Sequence, residues 1–186
     1  MANGAEYYRR FYEHGDEEAL AALIRDYKDG LILYLYGMLG DIHEAEELTE
    51  DTFVLLCIKR PRDKGGATFK TWLYTVARRK AIDRLRRRAR RREVPQEACI
   101  ETADQTADVE AAYLREERRV RVYRAMEGLS PACRQVLWLT YFEGMSNKQT
   151  AAVMRKSVHA VETLLYRARK ALKTRLETEE FPDEDV

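Results

Sequence analysis

The sequence predicts an all-α protein made of two small helical domains. Through most of the chain, apolar residues recur at spacings of three and four, and no stretch alternates as a strand would. Between the two helical parts lies EVPQEACIETADQTADVE at 93–110, which has six acidic residues, no basic residue and little periodicity. We therefore expect a flexible acidic linker over 93–112, which joins a first domain at 1–92 to a second at 113–178 and leaves an acidic tail at 179–186.

The first domain is predicted to be a bundle of about four helices. A short amphipathic helix covers 5–14, and Asp16 is placed to cap a longer one. Gly40 breaks that helix, and DIHEAEELTEDTFVLLCIK at 41–59 forms the third. The stretch RPRDKGGA at 60–67 is predicted to be a loop by its proline and paired glycines.

The fourth helix begins as a core helix and ends as a polycation. It follows Thr68, a predicted N-cap, and its first half carries one apolar face made of Phe69, Trp72, Leu73 and Val76. From Lys80 onward arginine predominates, and Asp83 is the only acid up to residue 92. Like charges one turn apart repel each other, so the segment favours an external polyanion, for which a nucleic-acid backbone is suited. The alternative interpretation is a solvated or frayed basic end.

The third helix carries the opposite charge in its first half. Six acids lie there without any lysine or arginine, at Asp41, Glu44, Glu46, Glu47, Glu50 and Asp51. General acid–base catalysis requires a carboxyl perturbed by burial in a cleft, whereas these acids alternate with core positions. We therefore predict no catalytic residue here. A solvated face is the default interpretation, and an acidic docking surface for a basic partner is the alternative.

The second domain contains the pattern of a helix-turn-helix. Ser130 and Pro131 begin a helix that Gly144 is expected to end, and Ser146 with Gln149 forms a capping-box pattern before the short helix NKQTAAVM. A turn then leads to a last helix, capped by a serine, that is basic further along. In a helix-turn-helix the N-terminal residues of the second helix meet base edges, and basic residues nearby hold phosphates.

Several function classes are excluded by what the sequence lacks. The three cysteines lie far apart without a C-x-x-C pair, so neither a disulfide framework nor a zinc site is indicated, and a reduced cytoplasmic protein is expected. The N-terminus has no apolar segment of a signal peptide, and no apolar run is long enough to span a bilayer. With no glycine-rich phosphate loop and no nucleophile–histidine set, we expect no enzyme, no cofactor and no metal.

Three motifs give the chain a resemblance to a known family. They are AEELTEDTFVLL at 45–56, FKTWLYTVARRKAIDRLRR at 69–87, and LSPACRQVLWLTYFEGMSNKQTAAVM followed by VETLLYRARKAL at 129–172. In this order and spacing the chain resembles an extracytoplasmic-function (ECF) sigma factor, the small two-domain class that directs bacterial RNA polymerase to promoters. The first domain would be sigma region two and the second region four.

The resemblance implies partners and site residues. Region two would dock on the clamp helices of the largest polymerase subunit through Glu46, Glu47, Glu50, Asp51 and Phe53. It would open and hold the minus-ten element through Lys64, Thr68, Lys70, Arg78, Arg79, Lys80, Asp83, Arg86 and Arg87. Region four would read the minus-thirty-five element through Ser157, His159, Glu162, Thr163, Tyr166 and Arg167. Its other face, with Val136, Leu137 and Leu139, would meet the flap of the second-largest subunit. An anti-sigma factor is a further expected partner.

The chain departs from the family pattern at a few positions. Arg79 stands where the family usually has asparagine, the turn before the last helix lacks the usual glycine, and Glu162 occupies a stretch that is usually basic. A carboxylate there repels phosphate, yet it can accept a hydrogen bond from a cytosine amino group. The alternative to a sigma factor is a two-domain helix-turn-helix DNA-binding regulator that does not join polymerase.

Overall fold

A computed structural model of the chain describes residues 4–59, 69–92 and 117–180. These residues are mostly helical and contain no strand. The chain divides into two compact units, one within residues 1–109 and the other within 110–186. The predicted all-α class with two small domains is therefore confirmed. The predicted loop at 60–67, the Thr68 cap and the linker at 93–112 lie outside the described residues.

The first unit contains four described helices. They are α1 (Gly4–His14), α2 (Glu17–Leu39), α3 (Ile42–Lys59) and α4 (Phe69–Arg92). The predicted cap at Asp16 is confirmed, since its Oδ1 accepts a hydrogen bond from the Ala19 amide at 3.0 Å. Gly40 ends α2 with a positive φ of 68°, a backbone conformation that glycine adopts without a steric penalty. Asp41 then caps α3 by accepting from the Glu44 amide at 3.0 Å.

The core of the first unit is built around α2, which is too apolar to be exposed. Residues 31–35 are all buried, as are Leu56 of α3 and Leu73 and Tyr74 of α4, and α2 packs against both helices. The Tyr34 and Tyr74 rings meet edge to face with centroids 5.2 Å apart. The Phe69 ring, at the start of α4, stacks on Tyr8 of α1 with centroids 4.7 Å apart. Phe69, Leu73, Tyr74 and Ala77 of the first half of α4 are all buried, so that helix is fixed to the bundle before its basic half begins.

The second unit contains four described helices and one π-helical turn. They are α5 (Glu117–Glu127), α6 (Pro131–Leu137), which continues as a π turn at Trp138–Phe142, α7 (Asn147–Met154) and α8 (Val158–Glu180). The sequence predicts an unbroken helix up to Gly144, and the π turn is the difference. There the Glu143 amide donates to the Trp138 carbonyl at 3.1 Å, and the Trp138 and Phe142 rings stack with centroids 4.3 Å apart.

Helices α7 and α8 form the predicted helix-turn-helix. The capping box is confirmed in both directions, with Ser146 Oγ accepting from the Gln149 amide and Gln149 Oε1 accepting from the Ser146 amide. Ser157 caps α8 by accepting from the Ala160 amide at 3.1 Å. Arg155 lies between the two helices in the left-handed region, with φ 53°.

Helix α8 is longer than the sequence predicted. The acidic tail was expected from residue 179, but the helix continues to Glu180. Near its end Lys173 Nζ lies 3.6 Å from Glu177 Oε1, one turn away, and the Thr178 hydroxyl donates to the Thr174 carbonyl. None of the helices within the described ranges is long and apolar enough to cross a bilayer.

Replacing Arg155 by glycine is expected to stabilise the second unit. A left-handed conformation costs an L-residue roughly 1–2 kcal/mol, and glycine loses roughly 0.5–1 kcal/mol of that gain through its greater freedom in the unfolded chain. Arg155→Gly should therefore stabilise the unit by about 0.5–1 kcal/mol. The control is Arg155→Ala, which removes the same side chain but keeps the backbone penalty. The chain has two tryptophans, so thermal unfolding in a Trp72→Phe background, followed by Trp138 emission, reports this unit. Equal midpoints for the glycine and alanine variants would contradict the expectation.

Candidate nucleic-acid and partner interfaces

The acidic side of α3 faces the basic half of α4. Because the two helices run antiparallel, acids at three- and four-residue spacing meet cations at four-residue spacing. We call these seven residues the ion-pair ladder: Asp41, Glu44, Glu47 and Asp51 on α3, with Lys80, Arg84 and Arg88 on α4. At one end Lys80 Nζ lies 2.8 Å from Asp51 Oδ2, and at the other Arg88 Nη2 lies 3.6 Å from Asp41 Oδ2.

Arg84 holds the middle of the ladder. Its Nη2 donates to Glu47 Oε1 at 2.9 Å and its Nη1 to Glu47 Oε2 at 3.2 Å, so the pair is bidentate. Its Nη1 also lies 3.4 Å from Glu44 Oε1. The hydrogen bonds and charge of Arg84 hold the pKa of the Glu47 carboxyl below its usual value, and the same bonds raise the pKa of Arg84. Both groups are therefore ionised at neutral pH.

Arg88 joins three helices. It lies 2.7 Å from Glu44 Oε2, and its Nη1 donates to the Leu39 carbonyl at 3.0 Å. That carbonyl belongs to the last turn of α2, where carbonyls lack partners within the helix. Arg88 therefore fastens the end of α2 to the basic half of α4, a structural role that a count of arginines does not predict.

A second set of cations on α4 lies outside the ladder. We call it the open arginine stripe, and its members are exposed and recur on one side of the helix: Arg79, Arg86, Arg87 and Arg90. Asp83 lies within this stripe, with its Oδ1 3.8 Å from Arg86 Nη1. The ladder thus divides the cations of α4 into a set bonded to protein and a set facing solvent.

The predicted minus-ten residues fall into different places. Arg79, Asp83, Arg86 and Arg87 share the open side of α4. Lys80 belongs to the ladder, Arg78 is half-buried, and Lys70 lies over the Tyr27 ring at 5.6 Å. Lys64 and Thr68 lie outside the described residues.

The predicted docking residues on α3 need one correction. Phe53 is buried, with 6% of its surface exposed, so its ring belongs to the core and not to a docking surface. Glu47 and Asp51 are in the ladder, and Glu46 lies 3.7 Å from His43. The exposed side of α3 instead carries Glu50 with two apolar residues that the sequence analysis missed, Val54 at 57% and Ile58 at 74% exposure. Val54 and Ile58 follow Glu50 at steps of four residues, which places all three on one side of the helix. This spacing could have identified the patch from the sequence.

The residues predicted to read the minus-thirty-five element lie together on the exposed side of α8. His159, Glu162, Thr163, Tyr166 and Arg167 are all exposed, and Tyr166 reaches 68%. Ser157 precedes them at the cap. The Thr163 hydroxyl is already used locally, since it donates to the His159 carbonyl at 3.0 Å. The helix-turn-helix therefore presents a continuous polar and aromatic surface.

The predicted flap contacts are wrong, because Val136, Leu137 and Leu139 are core residues with at most 1% exposure. The apolar surface of the second unit lies elsewhere. A groove of about 550 Å³ runs between α5, the π turn and the C-terminal half of α8, and Tyr141 at its edge is 55% exposed. Its apolar lining includes Val122, Met126, Phe142, Leu172 and Leu176.

The ladder makes the first unit sensitive to acid. The pKa of Glu47 is lowered from 4.5 by Arg84, and that of Asp16 is lowered from 3.8 by its hydrogen bonds to the Ala19 amide and Arg10. A carboxyl with a lowered folded-state pKa stabilises the fold above its unfolded-state pKa, and this contribution is lost as pH falls through the folded-state value. The melting temperature of the first unit should therefore be flat from about pH 7 to 5 and fall below about pH 4.

Thermal unfolding at a series of pH values in a Trp138→Phe background, followed by Trp72 emission, checks this expectation. Glu47→Gln should lower the melting temperature at pH 7 and flatten the acid branch. A steady decline between pH 7 and 5 would contradict the assignment to these carboxylates.

Comparison with known proteins identifies the family of both domains. Residues 23–91 match the family model of sigma-70 region 2, and residues 119–172 match that of sigma-70 region 4. The RNA polymerase sigma-H factor of Pseudomonas aeruginosa is 28% identical over 171 residues, covering 86% of this chain and 87% of that protein. The ECF RNA polymerase sigma factor SigW of Bacillus subtilis is 27% identical over 170 residues, covering 87% and 91%.

Solved structures share the fold. CnrH in complex with the cytosolic domain of CnrY matches with a TM-score of 0.63 and 23% identity, over 94% of this chain and 97% of that one. The sigma factor RpoE of Bartonella quintana, in complex with the anti-sigma factor NepR, matches with a TM-score of 0.59 and 23% identity, over 79% and 89%. The two family matches together cover well over half of the chain. The chain therefore belongs to the sigma-70 family, in its extracytoplasmic-function class.

Proposed function

We propose that this chain binds core RNA polymerase and directs it to specific promoters, in the cytoplasm and without a catalytic step of its own. The observation that carries the proposal is the division of the cations of α4. Three of them are held by the ladder against α3, and the open arginine stripe faces solvent on a helix whose first half is fixed in the core. A cationic surface held in place by a folded bundle suits a nucleic-acid strand.

In the first domain, the open arginine stripe would hold the melted non-template strand of the minus-ten element. Arg79, Arg86 and Arg87 can each bind a phosphate, with bidentate geometry where the backbone allows. Lys80 and Arg78 would contribute less to strand binding than the stripe, because Lys80 is paired with Asp51 and Arg78 is half-buried. Asp83 lies within the stripe and would repel phosphate, which favours contact with a base at that point.

The exposed side of α3 would dock on the clamp helices of the largest subunit. Glu50 supplies a negative charge, and the structure records no ion pair for it within the described part of the chain. Val54 and Ile58 supply apolar area beside it. A partly apolar patch with a charge at its edge is suited to a protein interface, in which the apolar centre contributes affinity and the charge contributes orientation.

The second domain would bind the minus-thirty-five element through the N-terminal half of α8. Its apolar groove, and not the buried residues of α6, would receive the flap of the second-largest subunit. Both structural neighbours named above are held by a second protein. We include an anti-sigma factor among the proposed partners on that ground.

The test of the proposal is reconstitution with bacterial core polymerase. Mixed with the purified chain, the polymerase should initiate at defined positions on genomic fragments, and sequencing of the transcripts identifies the promoters. Failure to initiate on every fragment, with a chain shown to be folded, would overturn the proposal. Binding to DNA without binding to polymerase would favour the regulator that acts alone.

Reversing the charge of Glu50 should weaken polymerase binding by about tenfold or more, since a like charge across an interface costs more than 1.4 kcal/mol. Fluorescence anisotropy of the labelled chain with core polymerase measures this. Glu13→Lys on α1 makes the same charge change away from α3 and should bind as the wild type does. If both variants bind equally well, the docking surface is elsewhere.

Arg87 and Arg88 are adjacent in sequence, and we expect their removal to affect different properties, promoter binding for Arg87 and stability for Arg88. Arg88→Ala should destabilise the first domain by about 1–2 kcal/mol, because the Leu39 carbonyl and Glu44 lose a partner. Arg87→Ala should change stability by less than about 0.5 kcal/mol but weaken promoter binding, and it should reduce the salt dependence by about one unit of slope. Hydrogen exchange of α4 amides and binding at several salt concentrations separate the two effects. The stripe assignment fails if Arg87→Ala leaves the slope unchanged.

A further inference from the structure

Glu162 of the recognition helix α8 is held by a residue of the preceding helix. Asn147 Nδ2 lies 3.4 Å from Glu162 Oε1. A carboxylate can only accept hydrogen bonds, so the amide must turn its NH₂ group toward Glu162, and its carbonyl oxygen faces away. Asn147 is the first residue of α7, where the Ser146–Gln149 capping box fixes the backbone. The carboxylate is thus oriented from a rigid position.

The place of Glu162 within α8 is where base contacts are made. It lies one turn into the helix, exposed beside His159 and Tyr166, at the border with the buried side that holds Val161 and Leu165. In a helix-turn-helix this N-terminal part of the second helix enters the major groove. One Glu162 oxygen is bonded to Asn147, and the other is directed by that bond and has no hydrogen-bond partner within the described part of the chain.

The electrostatics of this position require a specific partner for the carboxylate. Phosphates surround the groove and repel it. Exposed cations on the same surface can hold those phosphates, and they include Lys148, Arg155, Lys156, Arg167 and Lys170. They allow the domain to dock, but the carboxylate itself gains only where a base edge offers it a donor.

We propose that Asn147 and Glu162 act as one specificity-determining pair that selects cytosine in the upstream promoter element. In the major groove guanine presents only acceptors and thymine an acceptor and a methyl group, so both are disfavoured beside a carboxylate. Adenine presents a donor next to the N7 acceptor, whereas cytosine presents its N4 amino group alone. Glu162 is the base-contacting residue and Asn147 a positioning residue. This inference rests on the proposed function of the second domain.

The experiment uses the full chain in complex with core polymerase and a promoter library randomised over the upstream element. Wild-type protein should enrich cytosine at one position by about five- to tenfold, the low end of discrimination by one contact. Glu162→Gln replaces the carboxylate by an amide that matches the N6 and N7 of adenine, so the preference should move from cytosine to adenine at the same position.

Asn147→Asp tests the positioning role separately. It places a second carboxylate against Glu162 while keeping a residue that suits the first turn of α7, so it should abolish the cytosine preference without unfolding the helix. Glu127→Gln, on the exposed side of α5, is the matched control and should keep the wild-type preference. Thermal unfolding of each variant in the Trp72→Phe background, followed by Trp138 emission, confirms that the second unit is folded.

The outcomes separate this inference from the proposed function. If the wild-type complex initiates at promoters but Glu162→Gln leaves every base preference unchanged, the inference is overturned and the proposed function stands. If Glu162→Gln shifts the preference while Asn147→Asp does not, Glu162 reads the base without help and the pair is overturned. If the wild-type protein gives no promoter-dependent initiation, the proposed function fails first.

Discussion

The ion-pair ladder between α3 and α4 determines what each helix of the first domain can offer a partner. An isolated α4 would carry many arginines with like charges one turn apart, which destabilises a helix. The ladder relieves this repulsion at Lys80, Arg84 and Arg88, because each of them is paired with an acid of α3. Those acids are in turn occupied by α4. What remains exposed is a cationic stripe on one helix and a small patch with Glu50 on the other. Both proposed interfaces therefore consist of the side chains that the contact between α3 and α4 leaves exposed.

The elements that local signals specify could be predicted from the sequence. Caps at Asp16, Ser130, Ser146 and Ser157 depend on a side chain and an amide three residues apart, and each is found in the structure. The all-α class follows from spacing that extends over whole helices. Such features need no knowledge of how one helix lies against another.

The distribution of charge between partners could not be predicted, because it depends on the register of two helices. The residues bonded to Lys80, Arg84 and Arg88 lie 29 to 49 positions away in sequence, and a shift of one residue would pair a different set. The same limit explains Phe53 and Val54, adjacent residues of which one is buried and the other exposed. In the second domain, Val136, Leu137 and Leu139 were assigned to a surface from the sequence. A run of apolar residues does not by itself indicate which of its side chains are buried in the core and which are exposed.

Specificity for a promoter depends on a balance between contacts to phosphate and contacts to bases. Every exposed cation adds affinity for any sequence, since phosphate contacts carry no sequence information. By neutralising three cations of α4, the ladder would lower this general affinity without removing the arginines that stabilise the bundle. In the proposed interface of the second domain, Glu162 would act in the same direction, since a carboxylate on a DNA-binding surface penalises every site that does not offer it a donor. On the proposed interfaces, acidic side chains in both domains would thus lower binding to arbitrary DNA, and discrimination would be carried by the few groups that meet base edges.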